Sequence, residues 1–330
     1  MTSLKSFHTF GFSAHAKKIT HLNSVADIKS ALPLHRPFYI LGGGSNSIFV
    51  DDFAGEIVKI NLRGIECNET QEDFGIKVKA GENWHEFVEY CVKRGMYGLE
   101  NLALIPGTVG AAPIQNIGAY GREVSGFIQS VDYIELATGE AKSILQADCG
   151  FGYRDSIFKH ELSDKVIITA VNFVLPKKWV VEQSYGELAN LSNPTAQDIF
   201  DKVVKIRQAK LPDPSQLGNA GSFFKNPVIG KPLLKSIREK WPAIPSYPVS
   251  DEQCKVPAAW LIDQLGYKGK TLGGILCHHN QPLVLANTGI GTGRELLQFA
   301  RKIRDDVLVT FSIKLENEVR LLTTNGLIDL

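Results

Sequence analysis

The chain has 330 residues, which exceeds the usual size of one hydrophobic core, so two or three domains are expected. Hydrophobic residues make up 44% of it, enough to bury such cores. With 36 basic and 35 acidic residues the net charge is +1, which argues against a nucleic-acid-binding face or a membrane-surface patch.

The remaining bulk features predict a cytoplasmic protein with reduced thiols, and we separately expect a monomer. The N-terminus lacks the apolar segment of a signal peptide, and no apolar run is long enough for a membrane span. Five scattered cysteines form no C-x-x-C pair. His278 and His279 have no Cys, His or Asp cluster beside them, so we expect no metal site.

In the first half of the chain, predicted strands and helices mix irregularly. Short apolar or alternating runs predict strands over residues 37–41, 57–62, 76–80, 130–136 and 166–175. Helical spacing of apolar residues predicts a helix over 84–92, with Gly95 as its stop signal. This order favours an α+β fold over a regular βαβ alternation.

The second half opens with a capping box, Thr195 to Asp198, which predicts a helix that buries Ile199, Val203 and Ile206 and ends before Pro212. Further helices are predicted over 258–265 and 294–307. The tail alternates, which predicts strands with one apolar face: Val309, Phe311, Ile313, Leu315, Val319 and Leu321.

Two glycine-rich stretches are the most informative feature. They are Leu41-Gly-Gly-Gly-Ser-Asn-Ser-Ile-Phe49 and Ile105-Pro-Gly-Thr-Val-Gly-Ala-Ala-Pro-Ile-Gln-Asn-Ile-Gly-Ala-Tyr-Gly121. Glycine permits positive φ and a close approach of backbone N–H groups to a ligand. Two such loops, about sixty residues apart, fit a long anionic ligand such as a dinucleotide. A pair of tight turns is the structural alternative.

Two better-known nucleotide motifs do not fit. Gly42, Gly44 and Ser47 give G-x-G-x-x-S, one glycine short of the Rossmann fingerprint, and no acidic residue is clearly placed after a second strand. The stretch 266–271 reads G-x-x-G-K-T, with two spacer residues where a P-loop needs four.

Three polar constellations could carry chemistry. Ser222 lies in Gly218-Asn-Ala-Gly-Ser-Phe-Phe-Lys-Asn-Pro227, without the second glycine of a nucleophile elbow, so a proton-donating serine suits it better than a nucleophile. Arg154 follows a glycine-framed turn and could grip a carboxylate. Glu318 lies on the polar face of the tail. A turn serine, a surface ion pair with Asp155 and a solvated face are the structural alternatives.

Together these blocks resemble the UDP-N-acetylenolpyruvoylglucosamine reductase family, the UDP-N-acetylmuramate dehydrogenases. The matching stretches are 41–46, 105–121, 153–155, 218–227 and 318–320, in the family's order and over nearly the whole chain. Ser184-Tyr-Gly-Glu-Leu188 resembles the tyrosine-bearing loop of the longer subtype.

The resemblance implies an α+β, vanillyl-alcohol-oxidase-like FAD-binding fold with an additional α+β substrate-binding domain. The implied domains are 1–64 plus 319–330 and 65–211 for the two FAD-binding subdomains, and 212–318 for substrate. The partners would be NADPH and UDP-N-acetylglucosamine enolpyruvate, in peptidoglycan precursor synthesis.

The resemblance also implies the chemistry. NADPH would reduce FAD, which would pass hydride to the enolpyruvyl group. Ser222 would protonate the substrate carbon, while Arg154 and Glu318 would stabilise the enolate-like state. Neither glycine-rich loop contains His or Cys, so FAD would be bound non-covalently.

The implied binding residues form two sets. Those for FAD are Gly42, Gly43, Gly44, Ser45, Asn46, Pro106, Gly107, Thr108, Gly110, Ala111, Gln115, Asn116, Ile117, Gly118 and Arg320. Those for substrate are Tyr153, Tyr185, Arg207, Lys210, Asn226, Tyr247 and Gln281.

Two other functions stay open at this point. An FAD-dependent oxidase of the same superfamily would react quickly with oxygen and give Ser222 no role. A non-catalytic UDP-sugar-binding protein would carry no yellow cofactor.

Overall fold

The computed structural model describes all residues, Met1–Leu330, and mixes strands with fewer helices. The strands are β1 (Thr2–Ser3), β2 (His15–Leu22), β3 (Phe38–Leu41), β4 (Ser47–Phe49), β5 (Phe53–Ile60), β6 (Ile65–Glu69), β7 (Asp73–Lys79), β8 (Gly118–Ala119), β9 (Arg122–Glu123), β10 (Ile128–Glu135), β11 (Ala141–Leu145), β12 (Val166–Pro176), β13 (Gly218–Ser222), β14 (Val228–Gly230), β15 (Tyr247–Pro248), β16 (Gln253–Lys255), β17 (Thr271–Leu272), β18 (Ile275–Cys277), β19 (Val284–Asn287), β20 (Arg320–Thr323) and β21 (Gly326–Ile328).

The α-helices are α1 (Val25–Ala31), α2 (Trp84–Lys93), α3 (Ala196–Lys210), α4 (Lys231–Lys240), α5 (Ala258–Gln264) and α6 (Gly293–Phe311). Short 3-10 helices cover Glu100–Leu102, Val109–Ala111, Val124–Gly126, Gln146–Asp148, Ile157–Lys159 and Gly186–Asn190. None of the helices has both the length and the apolar character that crossing a bilayer requires.

The chain forms two compact units, each built from more than one stretch of sequence. Unit 1 comprises Met1–Ala16, Ser45–Ala54 and Lys210–Leu330, and unit 2 comprises Lys17–Gly44 and Gly55–Ala209. The chain therefore passes between units four times. The three-domain division stays a prediction.

Unit 2 is organised around an antiparallel sheet in the order β11-β10-β12-β7-β6. The central strand β12 is almost wholly buried, as its run of β-branched and apolar residues requires. Helix α2 packs on it through Trp84 and Phe87, whose ring centroids lie 6.1 and 5.1 Å from that of Phe173. Strands β3 and β5 pair in parallel in the same unit.

Unit 1 contains an antiparallel sheet in the order β13-β19-β18-β17 and a smaller one, β14-β16-β15. A third sheet, β21-β20-β4, joins the first strand after the first glycine-rich loop to the end of the chain, with β20 parallel to β4. Helix α6 buries one face, and Phe311 at its end packs against Trp241 and Trp260 at 5.3 and 6.1 Å.

The elements predicted from sequence up to residue 307 are confirmed, with ends that differ by a few residues. The capping box before α3 is also confirmed: the Thr195 N–H donates to the Asp198 carboxylate at 2.8 Å, and the Asp198 N–H donates to Thr195 Oγ1 at 3.2 Å.

The strand prediction for the start of the tail is wrong. Helix α6 continues to Phe311, and Val309 is 85% exposed. The helical spacing of Ile303, Val307 and Phe311 places all three on the buried face, and Ser312 ends the helix in a left-handed conformation. Beyond it the predicted alternation of burial holds, but only β20 and β21 are strands.

Candidate functional site

In unit 2, the first glycine-rich loop lies against the second. A Cβ atom added at Gly43 would lie 2.9 Å from Gly107 Cα, and one added at Gly42 would lie 2.7 Å from Thr108 Oγ1. At Gly43 main chain therefore meets the main chain of Gly107, an approach that a Cβ atom would block. The two predicted loops are brought together, with their peptide groups in reach of a ligand that lies along them.

The second loop is tied to the connection between β7 and α2. The Trp84 N–H donates to the Gly107 carbonyl at 3.1 Å, and the N–H groups of Val109 and Gly110 donate to the carbonyls of Glu82 and Ala80 at 2.9 Å each. A Cβ atom at Gly110 would lie 2.5 Å from that of Ala80, so the close packing requires glycine there. These bonds fix the backbone of residues 107–110.

Further along the loop, the Asn116 side chain is hydrogen-bonded to three other residues. Its amide nitrogen donates to the Gly152 carbonyl at 3.0 Å and to Glu123 at 2.9 Å, and its amide oxygen accepts from the Ser125 N–H at 3.1 Å. Asn116 is buried, and its φ of +41° is one that asparagine tolerates.

Arg154 is positioned next to this loop. Its Nη2 donates to the Gly118 carbonyl at 2.8 Å, and its own carbonyl accepts from Lys159 Nζ at 2.9 Å. The residue has φ of +55°, an uncommon conformation for a bulky side chain. Its guanidinium carbon lies 5.3 Å from the ring centre of Tyr153. A cation is thus held at a defined place beside the second glycine-rich loop.

Tyr185 and Tyr120 meet edge to face, with ring centroids 6.1 Å apart. Tyr185 is 49% exposed and precedes Gly186, which has φ of +59°. The segment before it is anchored by Asn101, whose amide nitrogen donates to the carbonyls of Tyr120 and Glu182 at 2.9 and 2.8 Å. The tyrosine-bearing segment therefore rests on the end of the second loop.

Arg207 of α3 donates from Nε to the Leu104 carbonyl at 3.2 Å. Burial is the main effect on its pKa and lowers it; Tyr120 acts in the opposite direction, and the cation of Arg154 lowers it further. Arg207 therefore lies within electrostatic range of Tyr120 and Arg154 in unit 2.

In unit 1, Ser222 ends β13 directly after Gly221, which has φ of +71°. Asn219 holds this turn: its amide oxygen accepts from the Gly221 N–H at 3.0 Å, and its amide nitrogen donates to the carbonyls of Pro212 and Leu217. Phe223 and Phe224 follow as fully buried side chains. Ser222 is therefore followed directly by two buried aromatic side chains.

Residues 316–318 pair with residues 223–225 in the same unit. The Glu318 N–H donates to the Phe223 carbonyl at 2.8 Å, and the Lys225 N–H donates to the Glu316 carbonyl at 2.9 Å. This pairing brings the chain at Glu318 beside the chain at Ser222, which are 96 positions apart in the sequence.

Asn46 of the first glycine-rich loop is hydrogen-bonded to the segment around Glu318. Its Nδ2 donates to the Glu318 carbonyl at 3.2 Å, and its carbonyl accepts from the Arg320 N–H at 2.8 Å. Ser45 and Asn46 of the first glycine-rich loop are thus continuous with β4, which pairs with β20.

The remaining predicted residues are more dispersed. Asn226 Oδ1 accepts from the Ala258 N–H at 2.9 Å, and Gln281 Oε1 accepts from the Leu283 N–H at 3.4 Å within its own turn. Tyr247 is exposed on β15, and Lys210 is exposed at the end of α3.

Sequence reasoning missed Lys59, Asn101 and His85. Lys59 Nζ donates to the Gly42 carbonyl of the first loop, and burial, followed by the nearby Arg63 cation, lowers the pKa of Lys59. Lys59 lies on β5, His85 on α2 and Asn101 in the 3-10 helix Glu100–Leu102, all outside the two glycine-rich stretches. No local pattern marks them, because only tertiary packing brings them to the loops.

Comparison with protein families gives two matches. Residues 17–144 match the FAD binding domain, and residues 213–322 match the UDP-N-acetylenolpyruvoylglucosamine reductase C-terminal domain. The first match favours a flavin-binding protein over the UDP-sugar-binding alternative.

Curated relatives match over almost the full length. UDP-N-acetylenolpyruvoylglucosamine reductase of Pseudoalteromonas atlantica is 55% identical over 99% of this chain and 95% of its own, and that of Photobacterium profundum is 47% identical over 97% and 94%. The crystal structure of UDP-N-acetylenolpyruvylglucosamine reductase from Thermus caldophilus covers 97% of both chains with a TM-score of 0.67 at 21% identity. The predicted fold class is confirmed.

Proposed function

This chain belongs to the UDP-N-acetylenolpyruvoylglucosamine reductase family of FAD-dependent oxidoreductases, and on that premise we propose that it reduces UDP-N-acetylglucosamine enolpyruvate to UDP-N-acetylmuramate with NADPH. The reaction would serve peptidoglycan precursor synthesis in the cytoplasm. The protein would act as a monomer with the three domains predicted from its sequence.

The glycine-rich loops fit FAD. At Gly43 an added Cβ atom would collide with the Gly107 main chain, and at Gly110 with Ala80, so the loops pack closely as bare main chain, and we propose that their peptide groups line the cofactor site. Such groups suit the pyrophosphate of a dinucleotide. We assign FAD to residues 42–46, 106–108, 110–111, 115–118 and Arg320. When bound, FAD supplies hydride transfer between nicotinamide and the enolpyruvyl double bond.

One observation supports the assignment of the acid: the Glu318 N–H donates to the Phe223 carbonyl, so the chain segments that carry Ser222 and Glu318 lie side by side. Hydride addition to one carbon of the enolpyruvyl group leaves negative charge on the other. Ser222 Oγ donates the proton that neutralises this carbon. Glu318 can stabilise the enolate-like state if its carboxyl group carries or shares a proton.

Arg154 contributes fixed positive charge. Its hydrogen bond to Gly118 and that of Asn116 to Gly152 hold the guanidinium in place before the substrate arrives. A positioned cation stabilises developing carboxylate charge without reorganising during the reaction. Tyr153, Tyr185, Arg207, Lys210, Asn226, Tyr247 and Gln281 are assigned to substrate, with the diphosphate drawn to the cationic ones.

The test separates the two half-reactions by stopped flow. Ser222→Ala should slow reoxidation of the reduced enzyme by enolpyruvyl substrate about 10²–10⁴-fold, the usual contribution of a general acid. Reduction by NADPH should be nearly unchanged, because no proton from Ser222 is needed there. Ser222→Cys should recover part of the rate, since a thiol also donates a proton.

The matched control is Ser215→Ala, which removes an exposed hydroxyl from the same unit and should leave both half-reactions intact. Equal slowing of both half-reactions in Ser222→Ala would indicate a damaged site. An unslowed second half-reaction would remove Ser222 from the mechanism.

A further inference from the structure

His85 contacts the start of the second glycine-rich loop. The Leu104 N–H donates to His85 Nδ1 at 3.0 Å, directly before the loop begins at Ile105. An Nδ1 that accepts a hydrogen bond carries no proton, so this contact exists only with the neutral imidazole whose proton is on Nε2.

The imidazole is oriented by a second contact. Its ring stacks on Phe200 of α3, with centroids 5.6 Å apart and planes inclined by 10°. The stacking fixes the ring plane, so Nδ1 is held towards Leu104. His85 is the second residue of α2, and its neighbour Trp84 donates from Nε1 to the Leu102 carbonyl at 2.9 Å. The first turn of α2 therefore binds the chain on both sides of Ala103.

The backbone of Leu104 has an uncommon conformation, which these contacts hold in place. Its φ of +57° is a left-handed conformation that β-carbon-bearing residues rarely adopt. Its N–H is bound by His85 and its carbonyl by Arg207 Nε. Both polar groups of this one peptide residue are thus satisfied by side chains, whereas residues 107–110 are held by main-chain bonds.

We infer that His85 is a positioning residue for FAD: its neutral imidazole holds Leu104 in the left-handed conformation that sets the entry of the second glycine-rich loop. This inference rests on the proposed role of that loop in holding FAD. Protonation of Nδ1 removes the acceptor and turns a donor towards the Leu104 N–H, so the loop entry loses its support and FAD affinity falls.

The surroundings of His85 keep it neutral at ordinary pH. Burial lowers its pKa below the usual value; Glu89 and Glu86 of α2 act in the opposite direction, and Arg207 of α3 lowers it further. Affinity for FAD should therefore be constant at neutral pH and should weaken only as the solution becomes acidic.

The experiment measures the FAD dissociation constant of the holoenzyme by equilibrium dialysis between about pH 5 and pH 8, the range over which histidines titrate. His85→Leu removes the acceptor and should weaken FAD binding about fivefold at neutral pH, the effect of one hydrogen bond. His85→Asn offers Oδ1 at a comparable distance from the backbone. It should retain most of the affinity and lose the acid-induced weakening that the wild type shows.

His35→Asn, at an exposed position of the same unit, is the matched control and should keep the wild-type pH profile. If His85→Asn weakens with acid as the wild type does, or if both His85 variants bind FAD as the wild type does, the inference is wrong. Should His85→Leu fail to fold, the profile of His85→Asn decides alone. A wild type without FAD at any pH would instead overturn the proposed function, and this inference with it.

Discussion

His8 is a buried histidine outside the chemistry proposed above. Only 4% of it is exposed, Nδ1 has no hydrogen-bond partner, and Nε2 lies 3.3 Å from the Phe12 carbonyl. Phe49 meets the ring edge to face at 5.3 Å. Burial lowers the pKa of His8 from 6.5 to about 4, and the contact with the Phe12 carbonyl acts in the opposite direction. A buried imidazolium would be costly here, so His8 stays neutral.

This predicts an acid-sensitive stability. Between the pKa of the unfolded chain and the lower folded value, the unfolded state binds more protons, so stability falls as pH falls from about 6.5 towards 4. The loss attributable to His8 should approach about 3 kcal/mol by pH 4. Urea unfolding of the wild type and of His8→Phe at several pH values measures it. If the free energy of unfolding depends on pH in His8→Phe as it does in the wild type, the prediction is contradicted.

At the scale of single residues, the sequence pointed to the residues in the motifs but not to the residues that hold those motifs in place. Ser222, Arg154 and Asn116 stand in stretches that resemble motifs of the family, so the resemblance pointed to them. His85, Lys59 and Leu104 could not, because their roles depend on contacts between distant segments, such as α2 with the start of the second loop. Left-handed φ at Leu104 and Arg154 is likewise set by tertiary packing rather than by residue type.

At the scale of elements, the tail shows how two periodicities can coincide. Val309, Phe311 and Ile313 fit a strand, while Val307 and Phe311 fit the next turn of α6. The helical conformation forms because Phe311 then packs on Trp241 and Trp260, which are far away in the sequence. In unit 2, β3, β5, β7, β10 and β12 were predictable from apolar or alternating runs, whereas β6 and β11 were not, because most of their residues are exposed.

The tyrosine-bearing segment gives a prediction at the same scale. Tyr185→Phe keeps the edge-to-face contact with Tyr120 but removes the hydroxyl that we assign to substrate. Substrate binding should weaken by about 1 kcal/mol, the net value of one neutral hydrogen bond, while FAD content stays normal. Isothermal titration and the absorbance spectrum measure the two quantities. Loss of FAD in this variant would place Tyr185 at the cofactor instead.

At the scale of the whole molecule, each unit has its own hydrophobic core, formed around Trp84 and Phe173 in unit 2 and around Phe223 and Phe311 in unit 1. The sequence indicated several cores from length alone. Length could not indicate that unit 1 is assembled from three separate stretches, and only the resemblance placed residues 319–330, which contain β20, in one domain with residues 1–64, which contain β4.

The whole molecule should release its flavin on denaturation. Residues 41–49 and 105–121 contain no His or Cys that could bond to the isoalloxazine ring. Acid or heat treatment should therefore transfer all yellow colour to the supernatant, where chromatography beside authentic FAD identifies it. Colour that remains with the precipitated chain would show a covalent link and contradict the assignment.

The parallel pairing of β4 with β20 also constrains the order of biosynthesis. Ser47 and Arg320 are partners in this register, separated by about 270 residues of chain. A ribosome that adds residues one by one exposes β4 long before β20 exists, whereas residues 17–44 and 55–209, which form unit 2, are all made before most of unit 1. Until Arg320 and the residues after it have been made, β4, with the buried sequence Ser-Ile-Phe, has no β20 to pair with.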